Sequence, residues 1–217
     1  MRISVFPLPD VVFFPETVLP LHVFEPRYRR MVADCLAGDG RLAVAMLRPG
    51  WERNYEGRPP IHEIAGAGEI LQAEALPDGR FNILLDGRMR IRVEEEEPPG
   101  DRPYRVVRAQ PLPDVVPGSG IPRLEERLPV LRAAYAKLLT ALGQAHVDLI
   151  SRLTVAGRTP AATVDRIVAA VVPDAAIRQR VLESVDVSER LALASSALSD
   201  LLALVVGSPD EGGRGED

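Results

Sequence analysis

Five prolines punctuate a strand-forming stretch near the start of the chain, residues 6–30 (FPLPDVVFFPETVLPLHVFEPRYRR), and constrain the fold more than any other feature. Proline has no backbone N–H and a fixed φ, so this stretch can be neither one continuous strand nor one helix. Residues 18–24 are typical of a buried strand. Glu25 and Pro26 then open a helix, because proline fits the first helical turn and an acidic residue suits the N-terminal dipole. The helix stops at Gly38 and carries one apolar stripe: Tyr28, Met31, Val32 and Cys35.

The remainder of the first half is also strand-like. Short apolar or alternating runs predict strands at residues 2–6, 41–47, 61–76, 80–85, 88–93 and 104–110. Gly66 and Gly68 interrupt one of these runs and indicate a bulge, since no helix follows them as a phosphate loop requires. The sequence Pro77-Asp78-Gly79 predicts a tight hairpin turn.

The second half changes to helical spacing after a segment rich in proline and glycine. We expect helices at residues 124–142, with Pro129 causing a bend or a late start, and at 144–153, 160–172, 174–182 and 187–205. Thr159 and Asp186 are predicted N-caps. The predicted fold class is therefore α+β. Its expected parts are a β-rich lobe (1–113), a linker (114–122), a helical lobe (123–206) and a disordered acidic tail (207–217).

Composition limits the chemistry that this chain can carry. The net charge of −5 argues against a general affinity for nucleic-acid phosphates. Cys35 is the single cysteine, so an internal disulfide and a thiolate zinc site are excluded. No apolar run approaches the ~18 residues of a membrane span, and we expect a cytoplasmic protein.

Catalytic patterns are equally sparse. His22, His62 and His146 are too scattered to form a metal signature, and His22 is expected to be structural. The serine of Gly118-Ser119-Gly120 does not lie on a strand-to-helix elbow. The single lysine, Lys137, lies inside an amphipathic helix. We therefore predict no catalytic residues, no cofactor and no metal.

Two surfaces could bind a partner. Trp51 and Tyr55 lie in a loop, residues 48–60, that has no periodic pattern and is predicted to be structureless; they are either exposed contact residues or a cap on the strands. A second surface is a row of arginines that alternates with apolar residues: Arg88, Arg90 and Arg92. This row could meet RNA phosphates, although mutual neutralisation with the acidic run at residues 94–97 on a solvated face is favoured.

The blocks FPLPDVVFFP and LPLHVFEPRYR resemble the N-terminal, substrate-binding domain of the ATP-dependent protease Lon, in the form found in small stand-alone bacterial proteins. Two further blocks are similar to the family pattern, GRFNILLDGRMRIRV and VLESVDVSERLALASSAL. The resemblance covers most of residues 3–204, and the loop around Trp51 and residues 115–122 depart from it. It implies a PUA-like β-barrel followed by a helical bundle.

The resemblance also implies a function. It indicates a non-catalytic module that binds unfolded or apolar polypeptide segments, since neither an ATPase loop nor a Ser-Lys peptidase dyad can be written for this chain. The candidate binding residues are Phe13, Phe14, Leu19, Trp51 and Tyr55, although the two phenylalanines and Leu19 equally suit a barrel interior. The alternatives are an RNA-binding PUA-like protein and a protein-interaction adaptor.

Overall fold

The structure, a computed structural model, describes residues 1–116, 121–143 and 157–207 and has the expected α+β organisation. The strands are β1 (Arg2–Leu8), β2 (Val18–Val23), β3 (Arg41–Met46), β4 (Ile64–Ala75), β5 (Phe81–Glu96) and β6 (Arg105–Leu112). The helices are α1 (Pro26–Ala37), α2 (Ile121–Ala141), α3 (Pro160–Val171), α4 (Ala175–Glu183) and α5 (Val187–Gly207). The predicted helix at 144–153, His146, residues 118–120 and the tail from 208 onward lie outside the described residues. Among those described, no helix is long and apolar enough to cross a membrane.

The six strands form one sheet in the order β2-β5-β4-β3-β1-β6, and β5 also pairs with β6. All pairs are antiparallel except β1 with β3. The strands predicted at residues 80–85 and 88–93 are parts of one strand, because β5 runs through both over 16 residues. Its pairing with β4 shifts register between Ala67 and Gly68, which confirms the predicted bulge and leaves Arg88 without a partner on β4. The turn at residues 77–79 is also confirmed, with Gly79 at a φ of 80°.

Glycines in the sheet explain where the proline-rich stretch runs. A Cβ on Gly66 would lie 1.9 Å from the carbonyl oxygen of Phe13, and one on Gly87 would lie 2.0 Å from that of Phe14. The backbone of residues 13–14 therefore crosses β4 and β5 in direct contact, which only glycine at these two positions allows.

Hydrophobic side chains form three clusters. The first lies between α1 and the sheet and contains the predicted stripe of α1 with Phe6, Phe13 and Leu85. The second is a smaller cluster among the strands, around Val5 and Ile91. The third joins the helices to one another and includes Phe14 and Ile64 from the strands. The first part of the chain thus supplies residues to the core of the second.

Local capping signals are confirmed in the helical part. The side chain of Thr159 accepts a hydrogen bond from the N–H of Ala162, at 3.1 Å. Asp174 caps α4, and Asp186 caps α5 by accepting from the N–H groups of Ser188 and Glu189. Pro129 lies inside α2, which begins at Ile121. Val115, in the predicted linker, hydrogen-bonds to Val185 and Val187 on either side of the α5 cap.

Four charged residues join the strands to the helices, and we refer to them as the buried charge cluster: Arg90, Asp114, Asp165 and Arg190. Three of them are buried, and Asp114, whose side chain is 35% exposed, lies at the rim of the cluster. Arg90 Nη2 lies 2.6 Å from Asp165 Oδ1, and Arg190 Nη2 lies 2.6 Å from Asp114 Oδ1. Arg90 also donates to the carbonyl of Leu182, and Arg190 to that of Ser184. Burial acts against both charged forms, since it raises the pKa of Asp165 and lowers the pKa of Arg90.

The predicted row of three exposed arginines was therefore wrong. Arg90 is 2% exposed because α3 and α5 cover that part of β5, whereas Arg88 and Arg92 face solvent. Arg88 contacts Glu69 and Asp86. The acidic run at residues 94–97 pairs with arginines outside the row: Arg2, Arg58, Arg105 and Arg108.

Candidate functional site

Trp51 and Tyr55 are brought together on the surface above the start of α1. Residues Trp51–Asn54 form a short 3-10 helix, so the prediction of a structureless loop was wrong. The two rings meet edge to face with centroids 5.4 Å apart. Both side chains are partly exposed, which leaves apolar area available to a partner.

The other three candidates lie elsewhere. Phe13 and Phe14 are 1% and 0% exposed because their backbone lies against Gly66 and Gly87 and turns both side chains into the cores. Leu19 is half-buried on β2 and packs against the cluster between α1 and the sheet. The two phenylalanines cannot contact a partner unless the chain unfolds. The prediction that Phe13 and Phe14 bind a partner was therefore wrong.

A network of side chains, the Glu25 brace, holds Tyr55 in place. Glu25 Oε2 accepts from Arg27 Nε at 2.9 Å, and Glu25 Oε1 accepts from the hydroxyl of Tyr55. The guanidinium of Arg27 lies 5.0 Å from the ring centroid of Tyr55 and 4.6 Å from that of Tyr28. Arg27 also donates to the carbonyl of Tyr55, at 3.4 Å. Glu25 was predicted to interact with the dipole at the start of α1, but its side chain makes no cap hydrogen bond. It holds the ring of Tyr55 in place instead.

Tyr55 forms one wall of a cleft of about 380 Å³, which we call the tyrosine cleft. Its volume lies in the range of sites that hold small ligands or single side chains. Three kinds of residue dominate its lining: tyrosines (Tyr28, Tyr55, Tyr104), prolines (Pro7, Pro59, Pro99, Pro103) and arginines (Arg27, Arg58, Arg102, Arg105). Rigid rings and guanidinium groups thus line the same concave surface.

Glu96 fixes the arginine side of the tyrosine cleft. Its carboxylate accepts from Arg58 Nη1 at 2.8 Å and from Arg105 Nε at 3.0 Å. Arg105 also donates to the carbonyl of Pro59, at 2.6 Å. The acidic run predicted to be only solvated surface therefore positions two residues of the cleft.

A larger cleft of about 950 Å³ adjoins the first, and residues 102–104 line both. Its lining is polar and includes Arg30, Asp34 and Asp39. The hydroxyl of Tyr104 donates to Asp34 Oδ2 at 2.8 Å, and this hydrogen bond lowers the pKa of Asp34. Cys35 also lines this cleft, but burial raises the pKa of its thiol, as expected for an inert core cysteine.

Potential metal ligands are scattered among the described residues. These residues contain no group of three or more His, Cys, Asp or Glu side chains that could hold a metal ion. His22 Nδ1 lies 2.7 Å from Asn82 Oδ1, and His62 Nδ1 lies 3.0 Å from Glu183 Oε1. The structural role expected for His22 fits this hydrogen bond. Burial also raises the pKa values of Tyr28 and Tyr55, so both hydroxyls stay protonated and act as fixed donors or walls.

Sequence reasoning named Trp51 and Tyr55 as candidates, but Tyr55 is the only residue among its candidates that lines the tyrosine cleft. The lining of this cleft comes from five separated parts of the chain, so no local pattern contains it. One signal was available: prolines stand beside tyrosines or arginines in segments without periodicity, at residues 58–60 and 98–104.

Comparisons with known proteins agree on the relatives of this chain. The family model of the ATP-dependent protease La (LON) substrate-binding domain matches residues 2–200. Lon protease of Xanthomonas oryzae is 28% identical over 201 residues, covering 89% of this chain and 22% of the relative. This chain spans about a fifth of the length of the curated relatives that it matches.

Two solved structures share the fold. The N-terminal domain of Mycobacterium avium complex Lon protease matches with a TM-score of 0.65 and 22% identity, over 92% of this chain and 99% of that one. A Lon N-terminal domain protein from Xanthomonas campestris matches with a TM-score of 0.58 and 21% identity, over 90% and 98%.

Proposed function

Because this chain belongs to the ATP-dependent protease La (LON) substrate-binding domain family, we propose that it binds exposed apolar segments of unfolded polypeptides. The observation that carries the proposal is the tyrosine cleft together with the Trp51 and Tyr55 rings beside it. We refer to the two together as the aromatic surface.

The physical argument rests on rigidity. An aromatic ring offers a large contact area and loses little side-chain entropy on binding, particularly when it is already fixed. The Glu25 brace fixes Tyr55, and Glu96 fixes the opposite edge. An apolar side chain that enters between these walls is removed from water, at roughly 25 cal/mol for each Å² of apolar surface buried.

We also propose that the chain has the barrel, the helical bundle and the non-catalytic character that the resemblance implies. The pairing of β5 with both β4 and β6 supports a closed, PUA-like barrel, and the contacts of α2, α3 and α4 with α5 support a helical bundle. We propose that the chain binds without peptidase or ATPase chemistry of its own, because its single lysine, Lys137, is followed by two leucines on α2 and matches neither a phosphate loop ending in Lys-Ser/Thr nor a Ser-Lys dyad. The cytoplasmic location stays a prediction.

RNA binding is not proposed. Arg90 is buried and Arg88 already contacts two carboxylates, so the arginine row does not stand free to meet phosphates. An adaptor would bind one folded partner protein, whereas the proposed function requires binding of unfolded segments. The binding experiment below distinguishes these two functions.

The test measures binding of synthetic peptides to the purified chain by calorimetry or fluorescence anisotropy, without ATP. We expect peptides containing a Pro-Phe pair to bind, and the double variant Trp51→Ala, Tyr55→Ala to weaken that binding about tenfold or more. Leu71→Ala is the matched control, since Leu71 is 61% exposed but lies on β4, outside the aromatic surface. It should leave the affinity unchanged.

Three results would count against the proposal. If the double variant and Leu71→Ala lose the same amount of peptide affinity, the binding site does not lie on the aromatic surface. Steep weakening with added salt would favour RNA or another polyanion over apolar capture. Failure of every unfolded peptide, with a folded protein bound instead, would favour the adaptor.

A further inference from the structure

We infer that the tyrosine cleft selects segments in which a carboxylate adjoins the apolar residue, and that Arg102 binds this carboxylate. The inference rests on the proposed function, and it adds a chemical specificity to the same site. The occupant is an extended peptide that places a prolyl or aromatic side chain against the tyrosines and an acidic group at the mouth of the cleft.

The balance of charge in the cleft carries the argument. Four arginines line it, and three carboxylates accompany them: Glu25, Glu56 and Glu96. Arg27 is neutralised by Glu25, while Arg58 and Arg105 share Glu96. The cleft therefore keeps a surplus of positive charge in a chain whose net charge is −5.

Arg102 is the arginine of the cleft that makes no hydrogen bond and no ion pair with any residue that the structure describes. Its charge acts only at longer range, where it helps to lower the pKa values of Asp34 and Glu97, and these carboxylates are already hydrogen-bonded to Arg30 and Arg2. Its neighbour Asp101 lines the larger cleft and not this one. An exposed guanidinium whose N–H donors make no hydrogen bond, beside fixed aromatic walls, offers a planar pair of donors that matches a carboxylate.

The position of Arg102 gives the geometry of the bound segment. It lines both clefts, so it stands where a chain leaving the tyrosine cleft passes into the larger one. Pro103 and Tyr104 follow it and line both clefts as well, which places an apolar wall directly next to the charge. A carboxylate one residue away from the inserted side chain would reach this point.

A single carboxylate suits this site better than a nucleic acid. Glu56 lines the same cleft, and Asp34, Asp39 and Asp101 line the next, so a run of phosphates would meet several acidic groups. One acidic group directed at Arg102 avoids them. The expected gain is modest, roughly fivefold in affinity, which is the upper end for an exposed ion pair.

The experiment compares three synthetic peptides that share a Pro-Phe pair and differ only in the next residue, which is Asp, Asn or Lys. Each is titrated into the wild-type chain, Arg102→Gln and Arg92→Gln. Arg92 is the matched control because it is an exposed arginine outside both clefts. We expect the Asp peptide to bind about fivefold more tightly than the Asn peptide to the wild type and to Arg92→Gln, and equally to Arg102→Gln.

The outcomes separate the two proposals. Equal affinity of the Asp and Asn peptides for the wild type would overturn the inference while leaving apolar capture in place. A preference for Asp that persists in Arg102→Gln would also overturn it. Absence of binding by all three peptides would overturn the inference together with the proposed function. Unchanged binding of the Asn peptide to Arg102→Gln, with loss of the Asp preference alone, would support it, and added NaCl should then reduce only that preference.

Discussion

The buried charge cluster and the tyrosine cleft both set arginines against carboxylates, but they differ in their contact with water. In the cluster, the side chains of Arg90, Asp165 and Arg190 are 2%, 1% and 0% exposed. In the cleft, Arg58 is 32% and Glu96 25% exposed. The same pair of chemical groups therefore experiences two very different dielectric environments.

This difference assigns the two regions different roles. Charges buried without partners are very costly, and both guanidinium groups of the cluster are matched by Asp114, Asp165 and the carbonyls of Leu182 and Ser184. Arg190 Nη1 makes no hydrogen bond and has only the charge of Asp165 Oδ1 beside it, at 3.5 Å. A partly exposed guanidinium can keep water as its partner, and Arg102 can stay free at little cost. The cluster specifies how strands and helices meet, and the cleft keeps donors for a ligand.

The comparison is tested most severely by Asp165→Asn, which keeps the shape of the side chain and removes its charge. Arg90 and Arg190 would then retain only Asp114 as an acidic partner. We expect the free energy of unfolding, measured by urea denaturation, to fall by about 3–5 kcal/mol. Asp39→Asn, in an exposed pair with Arg41, is the control and should change it little.

A double replacement checks that the loss comes from unpaired charge. Arg190→Met combined with Asp165→Leu removes one charge of each sign and leaves Arg90 with Asp114. The double variant should lose less stability than the two single variants added together. If Asp165→Asn alone unfolds no more easily than Asp39→Asn, the cluster does not join the two parts of the molecule as we describe.

The buried cluster also shows why one part of the sequence analysis failed. Alternation along residues 88–93 places Arg88, Arg90 and Arg92 on one face, and nothing local distinguishes the middle one. Its burial is decided by Asp165 and Arg190, which lie 75 and 100 residues further along the chain. The carboxylate of Asp165 on α3 stabilises the buried guanidinium of Arg90. This contact depends on the tertiary structure and has no local signal in the sequence.

Features with a local cause were predicted well. The stripe of α1 follows from helical spacing, and the caps at Thr159 and Asp186 follow from short side chains that accept backbone N–H bonds. Gly66 and Gly87 illustrate the boundary. The sequence predicts a bulge at Gly66 but makes no prediction for Gly87, and the backbone of Phe13 and Phe14 that passes over both comes from a distant segment.

A smaller effect is expected where the tyrosine cleft is braced. Glu25→Gln removes the negative charge and one of the two acceptor oxygens, so the side chain can no longer accept from both Arg27 and Tyr55. Because this pair is partly exposed, we expect a loss of about 1 kcal/mol or less in the free energy of unfolding. Binding of the Pro-Phe peptides should weaken severalfold, since the wall they meet is no longer fixed. Glu25→Gln is thus expected to reduce stability little and peptide affinity clearly. For Asp165→Asn the large loss is expected in stability.

Glu56→Gln is the matched control for that variant, because Glu56 lines the same cleft but takes no part in the Glu25 brace. It should leave stability unchanged and should not weaken binding of the Pro-Phe peptides. If Glu25→Gln costs as much stability as Asp165→Asn, the cleft is a structural core and its residues are not held ready for a ligand.

The smallest effect lies in the alkaline titration of Tyr28, the residue that joins the tyrosine cleft to the core. Burial raises its pKa from 10.0 to about 12, so the folded chain keeps a proton that the unfolded chain releases in this interval. The stabilisation that this provides is fully present below pH 10 and is lost as the pH rises towards 12. Unfolding free energies measured in steps across that range should therefore fall less steeply for Tyr28→Phe than for the wild type, and the absorbance of tyrosinate should lose its last step. Equal slopes, with all four tyrosines ionising near their ordinary pKa, would show that the inner wall of the cleft is open to water and not buried against Phe6.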